Sequence, residues 1–115
     1  IGFQRNTSKE VVRSLVKLVR DFIPLIIEKD GRACVYHVAN YDEYKARLYE
    51  KMREELDEFV NTPCYEEAAD MWEVFLSICE LHEIKMPRLK LAVENKRKER
   101  GGFKDRIILE QYESR

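Results

Sequence analysis

The stretch EELDEFVNTPCYEEAAD, residues 54–70, joins two acidic helical segments through a short break. Seven of its seventeen residues carry a carboxylate, and Asn61, Thr62 and Pro63 separate the two acidic groups. Polar turn residues followed by Pro end one helix and allow another to begin, so the stretch predicts an antiparallel pair of helices. The positions of the acids on these helices distinguish a solvated surface from a cation site.

The segment before the break repeats apolar residues at the helical period, and we expect its helix to begin near Asp42. Its apolar stripe is formed by Leu48, Met52, Leu56 and Phe59. At about 100° per residue, Glu55 lies at the edge of this stripe, whereas Glu58 lies about 60° further round. The segment after the break, from about Tyr65 to Ile84, has a wider apolar arc. Glu67 falls inside that arc, with Asp70 on its border.

Glu55/Glu58 and Glu67/Asp70 are therefore two i,i+3 pairs, and we expect all four carboxylates to face one gap between the helices. Unpaired carboxylates in a helix interface cost several kcal/mol each unless they are neutralised, paired or bound to a cation. Like charges about 5 Å apart repel by roughly 3 kcal/mol at an effective dielectric of 20. Oxygen ligands without His or Cys favour Mg²⁺ or Mn²⁺. In the alternative, basic side chains pair with these acids in an ordinary bundle; the candidates are Lys51, Arg53, Lys96 and Arg100.

The rest of the chain predicts further helices and two short strands. A capping box at residues 7–10 begins a first helix, which Pro24 kinks or restarts and Gly31 ends. A last helix begins at Pro87 and ends at Gly101. Residues 32–38 and about 106–112 are rich in β-branched residues. We therefore expect an all-α bundle with a small two-stranded β ribbon formed by these two segments.

Composition places the chain among compact proteins of one domain. It has 115 residues, 44% of them hydrophobic and 37% charged, and a net charge of −1. This balance excludes a global field for nucleic acid or an anionic membrane, and no apolar run approaches the roughly 18 residues of a membrane span. Cys34, Cys64 and Cys79 have no metal-ligand spacing, and we expect reduced core thiols in a cytoplasmic protein.

Four short motifs point to a known family. EELDE, residues 54–58, and EAAD, residues 67–70, resemble the EExxE and ExxD motifs of the MazG-like all-α nucleotide pyrophosphohydrolases. KLVRDFIP, residues 17–24, and KRKERGGF, residues 96–103, are similar to the opening and closing basic motifs of a small-protein branch. The resemblance covers about residues 15–110. It implies one MazG-like domain over residues 1–115. Residues 1–16, more than the branch usually carries before its first motif, are expected to form an extra N-terminal helix.

The resemblance implies Mg²⁺-dependent hydrolysis of nucleoside triphosphates to monophosphate and pyrophosphate, with Mn²⁺ as a substitute. Its metal ligands are Glu55, Glu58, Glu67 and Asp70. Glu54 and Glu55 are its catalytic acids, with Glu54 as a supporting residue or general base, and Glu73 is an outer ligand. The phosphate-binding residues that it implies are Lys17, Arg20, Lys96, Lys98 and Arg100, and Asn95 contacts sugar or phosphate. A phosphoribosyl-ATP pyrophosphohydrolase and a non-catalytic helical binding module are the alternatives.

Two departures from the family pattern affect these expectations. Phe22 stands where the branch usually has Lys, which removes a phosphate contact. Only eight residues separate Glu58 from Glu67, fewer than in many members, so the two acid pairs can lie at different heights. The wide apolar arc of the helix after the break needs cover from other subunits, and we expect a homodimer or homotetramer.

Overall fold

A computed structural model of the protein describes residues 16–115. The predicted capping box and the extra N-terminal helix at residues 1–16 lie outside this part of the chain, apart from Val16. Residues 16–115 form four helices and no strand: α1 (Ile23–Lys29), α2 (Tyr41–Asn61), α3 (Tyr65–Leu81) and α4 (Met86–Arg100). The all-α class is therefore confirmed. The chain divides into two compact units, one ending at Leu81 and the other beginning at His82.

Helix α1 is short because proline and glycine limit it at both ends. Pro24 occupies its first turn, where the missing N–H group is tolerated. Residues 16–20 are irregular, which corrects the prediction of a helix running through Phe22. The ring of Pro24 would collide with the carbonyl of Arg20 in a continuous helix. At the other end, Gly31 has a φ of 80°, a left-handed conformation that suits glycine after a helix.

Helices α2 and α3 pack against each other and form the body of the first unit. Asn40 caps α2 by accepting a hydrogen bond from the Glu43 N–H at 2.9 Å, and residues 62–64 connect the two helices. Among the described residues, the buried apolar side chains are Leu48, Val74 and Cys79. We call α2, α3 and their connection the hairpin. This small core lies within the hairpin, so the packing of α2 against α3 positions the side chains at their interface.

The predicted β ribbon does not form. Residues 32–38 and 106–112 are both irregular, and Val35, Val38, Ile107 and Ile108 are exposed. Their β-branched residues express a local preference, which becomes a strand only when a partner supplies cross-strand packing. An isolated two-stranded ribbon is marginally stable in water even when it is paired. The β propensity of these two segments was therefore insufficient to predict strands.

Helix α4 belongs to the second unit. Pro87 lies in its first turn, and Gly101, with a φ of 82°, follows its last residue. Its last turn contains Arg97, Lys98 and Arg100, cations that interact favourably with the carbonyl end of a helix. No helix within residues 16–115 combines the length and the apolar character needed to cross a bilayer.

The three cysteines are free thiols. Cys79 is buried in α3, whereas Cys34 and Cys64 are only partly buried. The expectation of core thiols therefore describes Cys79 and not the other two. Cys34 lies in the irregular segment before α2, and Cys64 lies in the connection between α2 and α3.

Candidate metal centre

Three of the acids predicted from the sequence meet at the α2–α3 interface. Glu55 comes from α2, and Glu67 and Asp70 come from the first turns of α3. One carboxylate oxygen of each lies within 4.8 Å of those of the other two. The spacing of three residues places Glu67 and Asp70 on one side of α3, and the short connection returns α3 alongside α2. We call Glu55, Glu67 and Asp70 the acidic cluster.

Among the described residues, Glu55 is the buried charged residue, with only 6% of its surface exposed. Burial is the main reason that its pKa is raised above the ordinary value of 4.5, and the charges of Asp70, Glu58 and Glu67 raise it further. The charge of Lys51, one turn earlier on α2, acts in the opposite direction. A carboxylate in this environment gains stability when it holds a proton or a cation.

Glu67 has a buried oxygen without a hydrogen-bond partner. Its Oε2 atom is shielded from solvent, and none of the described residues donates a hydrogen bond to it. Desolvation of the carboxylate is the main reason that the pKa of Glu67 is raised, and the charges of Glu58, Asp70 and Glu66 raise it further. Buried polar atoms in folded proteins nearly always have a partner. This oxygen therefore has the unmet electrostatic demand that a bound cation would satisfy.

Asp70 is paired with an arginine from the segment before α1. A terminal nitrogen of Arg20 donates to Asp70 Oδ1 at 2.8 Å, and the two side chains are 54% and 38% exposed. The hydrogen bond to Asp70 is the main reason that the pKa of Arg20 is raised, and the charges of Asp70, Glu73 and Glu55 add to it. Arg20 therefore lies within electrostatic range of the acidic cluster, at its solvent-facing side.

Glu58 lies outside the group of three. It is exposed on α2, which agrees with its place about 60° further round the helix than Glu55. Its charge nevertheless raises the pKa of both Glu55 and Glu67. Glu58 thus faces the cluster from its outer side. Glu54, which precedes Glu55 and is a candidate catalytic acid, is also exposed.

The predicted phosphate-binding residues lie in different parts of the chain. Lys17 is exposed in the irregular segment that contains Arg20. Four others lie on α4, in the second unit, and all are exposed: Asn95, Lys96, Lys98 and Arg100. Their roles toward a phosphate stay predictions. The pair formed by Arg20 and Asp70 was missed, because no sequence pattern joins residues fifty positions apart.

The acidic cluster fits a hard divalent cation. All three donors are carboxylates, the ligand type that Mg²⁺ and Mn²⁺ prefer. Their formal charge is −3, and Arg20 reduces it to −2. The buried, unpartnered oxygen of Glu67 lies in the same group. Arg20 occupies Asp70 Oδ1, and a carboxylate has a second oxygen available to a metal.

Comparisons of the chain with protein-family models, with curated proteins and with solved structures give no significant match. A function must therefore be assigned from the residues of the chain.

Proposed function

We propose that this protein is a Mg²⁺-dependent hydrolase that converts nucleoside triphosphates to monophosphates and pyrophosphate. The observation that carries the proposal is the acidic cluster, whose oxygens lie within 4.8 Å of one another beside a buried, unpartnered carboxylate oxygen. The resemblance of EELDE and EAAD to the motifs of MazG-like enzymes supports this assignment. Both lines of reasoning select Glu55, Glu67 and Asp70, and the resemblance adds Glu58.

The residues of the cluster would bind the metal, and Glu58 would contribute from the outer side. Mg²⁺, when bound, polarises phosphoryl oxygens, neutralises charge on the leaving pyrophosphate and lowers the pKa of a coordinated water. The pKa of both Glu55 and Glu67 is raised when no cation is bound. A cation would therefore displace protons from these two carboxylates. Metal binding should therefore strengthen as pH rises and release protons.

Exposed groups around the cluster would handle the water and the substrate. Glu54 is solvent-accessible next to Glu55 and would orient or deprotonate the attacking water. Arg20 and Lys17 carry positive charge on the same unit, and Arg20 lies at the cluster itself. The resemblance implies that the basic residues and Asn95 of α4 contact the triphosphate or sugar, and these contacts stay predictions.

The test resolves reaction products for each substrate. The protein is incubated with Mg²⁺ and, separately, with the common NTPs, the dNTPs and phosphoribosyl-ATP. We expect monophosphate and pyrophosphate from at least one NTP or dNTP. Glu55→Gln should lower the rate by at least about a hundredfold, since even partners outside the ligand shell contribute 10- to 100-fold in metal sites. Asp57→Asn is the matched control, because Asp57 is an exposed acid on the same helix and should retain activity.

Two outcomes contradict the proposed activity, and a third contradicts the proposed site. Cleavage of phosphoribosyl-ATP alone would move the activity to the phosphoribosyl-ATP pyrophosphohydrolases. If no nucleotide releases pyrophosphate with either Mg²⁺ or Mn²⁺, the chain is a non-catalytic binding module. Unchanged turnover in Glu55→Gln would remove the acidic cluster from the mechanism.

A further inference from the structure

We propose that Arg20 is a displaceable counter-ion of the acidic cluster: it pairs with Asp70 until a divalent metal binds, and then pairs with a phosphate of the substrate. This inference rests on the proposed function and adds a residue that couples the metal to the substrate. Arg20 would thus be a positioning residue for the metal and a binding residue for phosphate.

The contact between Arg20 and Asp70 lies at the protein surface, where such an exchange is feasible. Arg20 is 54% exposed and Asp70 is 38% exposed, whereas Glu55, at the other side of the cluster, is 6% exposed. Arg20 lies in the irregular residues before α1 and not within a helix. Its guanidinium is already more than half exposed, so it can leave Asp70 and enter water by rotation of its own side chain.

The charges around the cluster give a reason for the exchange. Arg20 donates to Asp70 Oδ1 at 2.8 Å, and the Asp70 carboxylate lies in the same group as those of Glu55 and Glu67. A divalent cation bound by the cluster places two positive charges in the region that Arg20 now neutralises. Arg20 bonds one oxygen of Asp70 and a metal would bind the other, so the two cations would lie close together on one carboxylate. Their repulsion favours release of the guanidinium when the metal binds.

The released guanidinium has the chemistry needed for a phosphate. Arginine presents five donors in a planar fork that matches phosphate oxygens and remains charged at all relevant pH values. A triphosphate bound to a metal at the cluster would bring its negative charge to the same solvent-facing side. Arg20 would then exchange one anionic partner for another.

An ordinary surface ion pair is the competing explanation. Exposed pairs contribute about 0–1 kcal/mol, and the chain contains a closely similar one. Arg32 donates to Asp30 at 3.0 Å, and the two side chains are 57% and 68% exposed. That pair involves no member of the acidic cluster. Arg32→Gln is therefore a matched control that removes one positive charge from the same unit.

The experiment measures binding without turnover. Wild type, Arg20→Gln, Arg20→Lys and Arg32→Gln are titrated with Mn²⁺ by electron paramagnetic resonance, and then with inorganic pyrophosphate in saturating Mn²⁺. We expect Arg20→Gln to bind Mn²⁺ about tenfold more tightly, because one competing positive charge is lost. Its affinity for pyrophosphate should fall about tenfold, because a charge-assisted contact is lost. Arg32→Gln should match wild type in both titrations.

Arg20→Lys separates charge from shape. It keeps the positive charge, so its Mn²⁺ affinity should stay near that of wild type, whereas its pyrophosphate affinity should fall because lysine lacks the fork. Circular dichroism melting curves check that each variant is folded.

Three results would overturn the inference. In the first, Arg20→Gln binds Mn²⁺ no more tightly than Arg32→Gln; in the second, it binds Mn²⁺ more tightly and pyrophosphate equally well. Either result leaves the proposed hydrolysis intact. In the third, none of the proteins binds Mn²⁺, and the metal centre and the proposed function then fail together. Tighter Mn²⁺ binding with weaker pyrophosphate binding, but no hydrolysis of any nucleotide, would support the exchange and reject the hydrolase.

Discussion

Glu55 has opposite effects on stability and on metal binding. Burial raises its pKa above the ordinary value of 4.5, so the folded chain holds this proton to a higher pH than the unfolded chain does. Below pH 4.5 both forms are protonated, and the residue contributes nothing to the pH dependence of folding. As pH rises through the folded pKa, Glu55 must ionise within the α2–α3 interface. Stability is then lost unless a cation compensates.

The prediction at this residue concerns metal-free protein. We expect Glu55→Gln to gain stability relative to wild type as pH rises from 4.5 toward neutrality, because the variant has no buried charge to ionise. Urea denaturation in the presence of a chelator, repeated across this pH range, measures the difference. Addition of Mg²⁺ should stabilise wild type and leave Glu55→Gln nearly unchanged.

Glu54→Gln serves as the control for this experiment. Glu54 is the adjacent residue and is exposed, so its substitution should leave the pH dependence of unfolding as it is in wild type. A constant difference between wild type and Glu55→Gln at all pH values would contradict the assignment of a raised pKa to Glu55.

Helical periodicity predicted part of the acidic cluster. It placed Glu55 at the edge of an apolar stripe and Glu67 within one, and both residues lie in the cluster. The same wheel placed Glu58 about 60° away from Glu55, and the structure leaves Glu58 outside the group of three. The pair formed by Arg20 and Asp70 depends on the path of the chain before α1, which no local period encodes.

At the scale of the helices, start and stop signals predicted the boundaries well. Pro24, Pro87, Gly31 and Gly101 mark helix ends in the sequence and in the structure. These residues act through their own backbone geometry and need no distant partner. The prediction of a ribbon at residues 32–38 and 106–112 was wrong. Unlike a helix end, a strand requires a distant neighbour that supplies hydrogen bonds and side-chain packing.

The cap of α2 gives a prediction for a single element. Asn40 Oδ1 accepts from the Glu43 N–H at 2.9 Å. Asn40→Ala should lower the free energy of unfolding by about 1 kcal/mol, because an N–H group at the helix start loses its partner. Denaturant titration followed by circular dichroism measures the loss.

Asn61→Ala is the control at the other end of α2. Asn61 is exposed and makes a long contact of 3.4 Å with the Thr62 hydroxyl, so we expect a change below about 0.5 kcal/mol. Equal losses at the two ends would show that Asn40 acts by something other than capping.

At the scale of the whole molecule, two neighbouring aromatic side chains of α3 are partly exposed. Trp72 and Phe75 lie on α3 with their ring centroids 5.9 Å apart, and Trp72 is 54% exposed. The buried apolar residues among the described positions are few and are confined to the hairpin. Large exposed apolar patches usually mark association surfaces. A homodimer or homotetramer is expected from the wide apolar arc of this helix in the sequence, and this stays a prediction.

The test of association uses a charge at the aromatic pair. Wild type should sediment as a species larger than 13.8 kDa, whereas Trp72→Glu should shift toward the monomer at the same concentration. Analytical ultracentrifugation over a range of concentrations measures both. Tyr65→Glu is a suitable control, because Tyr65 is an exposed aromatic residue at the start of the same helix. A monomeric wild type at high concentration would contradict the prediction.

The short connection at residues 62–64 has a consequence for the order of folding. The entropy lost on closing a loop grows with the logarithm of its length, and every donor of the acidic cluster lies in the single hairpin from α2 to α3. The cluster can therefore assemble once these two helices meet, before distant segments find their places. Arg20, fifty positions from Asp70, must close a longer loop and should join afterwards. A divalent ion present during refolding would meet the cluster before its arginine competitor does, and it would accelerate formation of the hairpin.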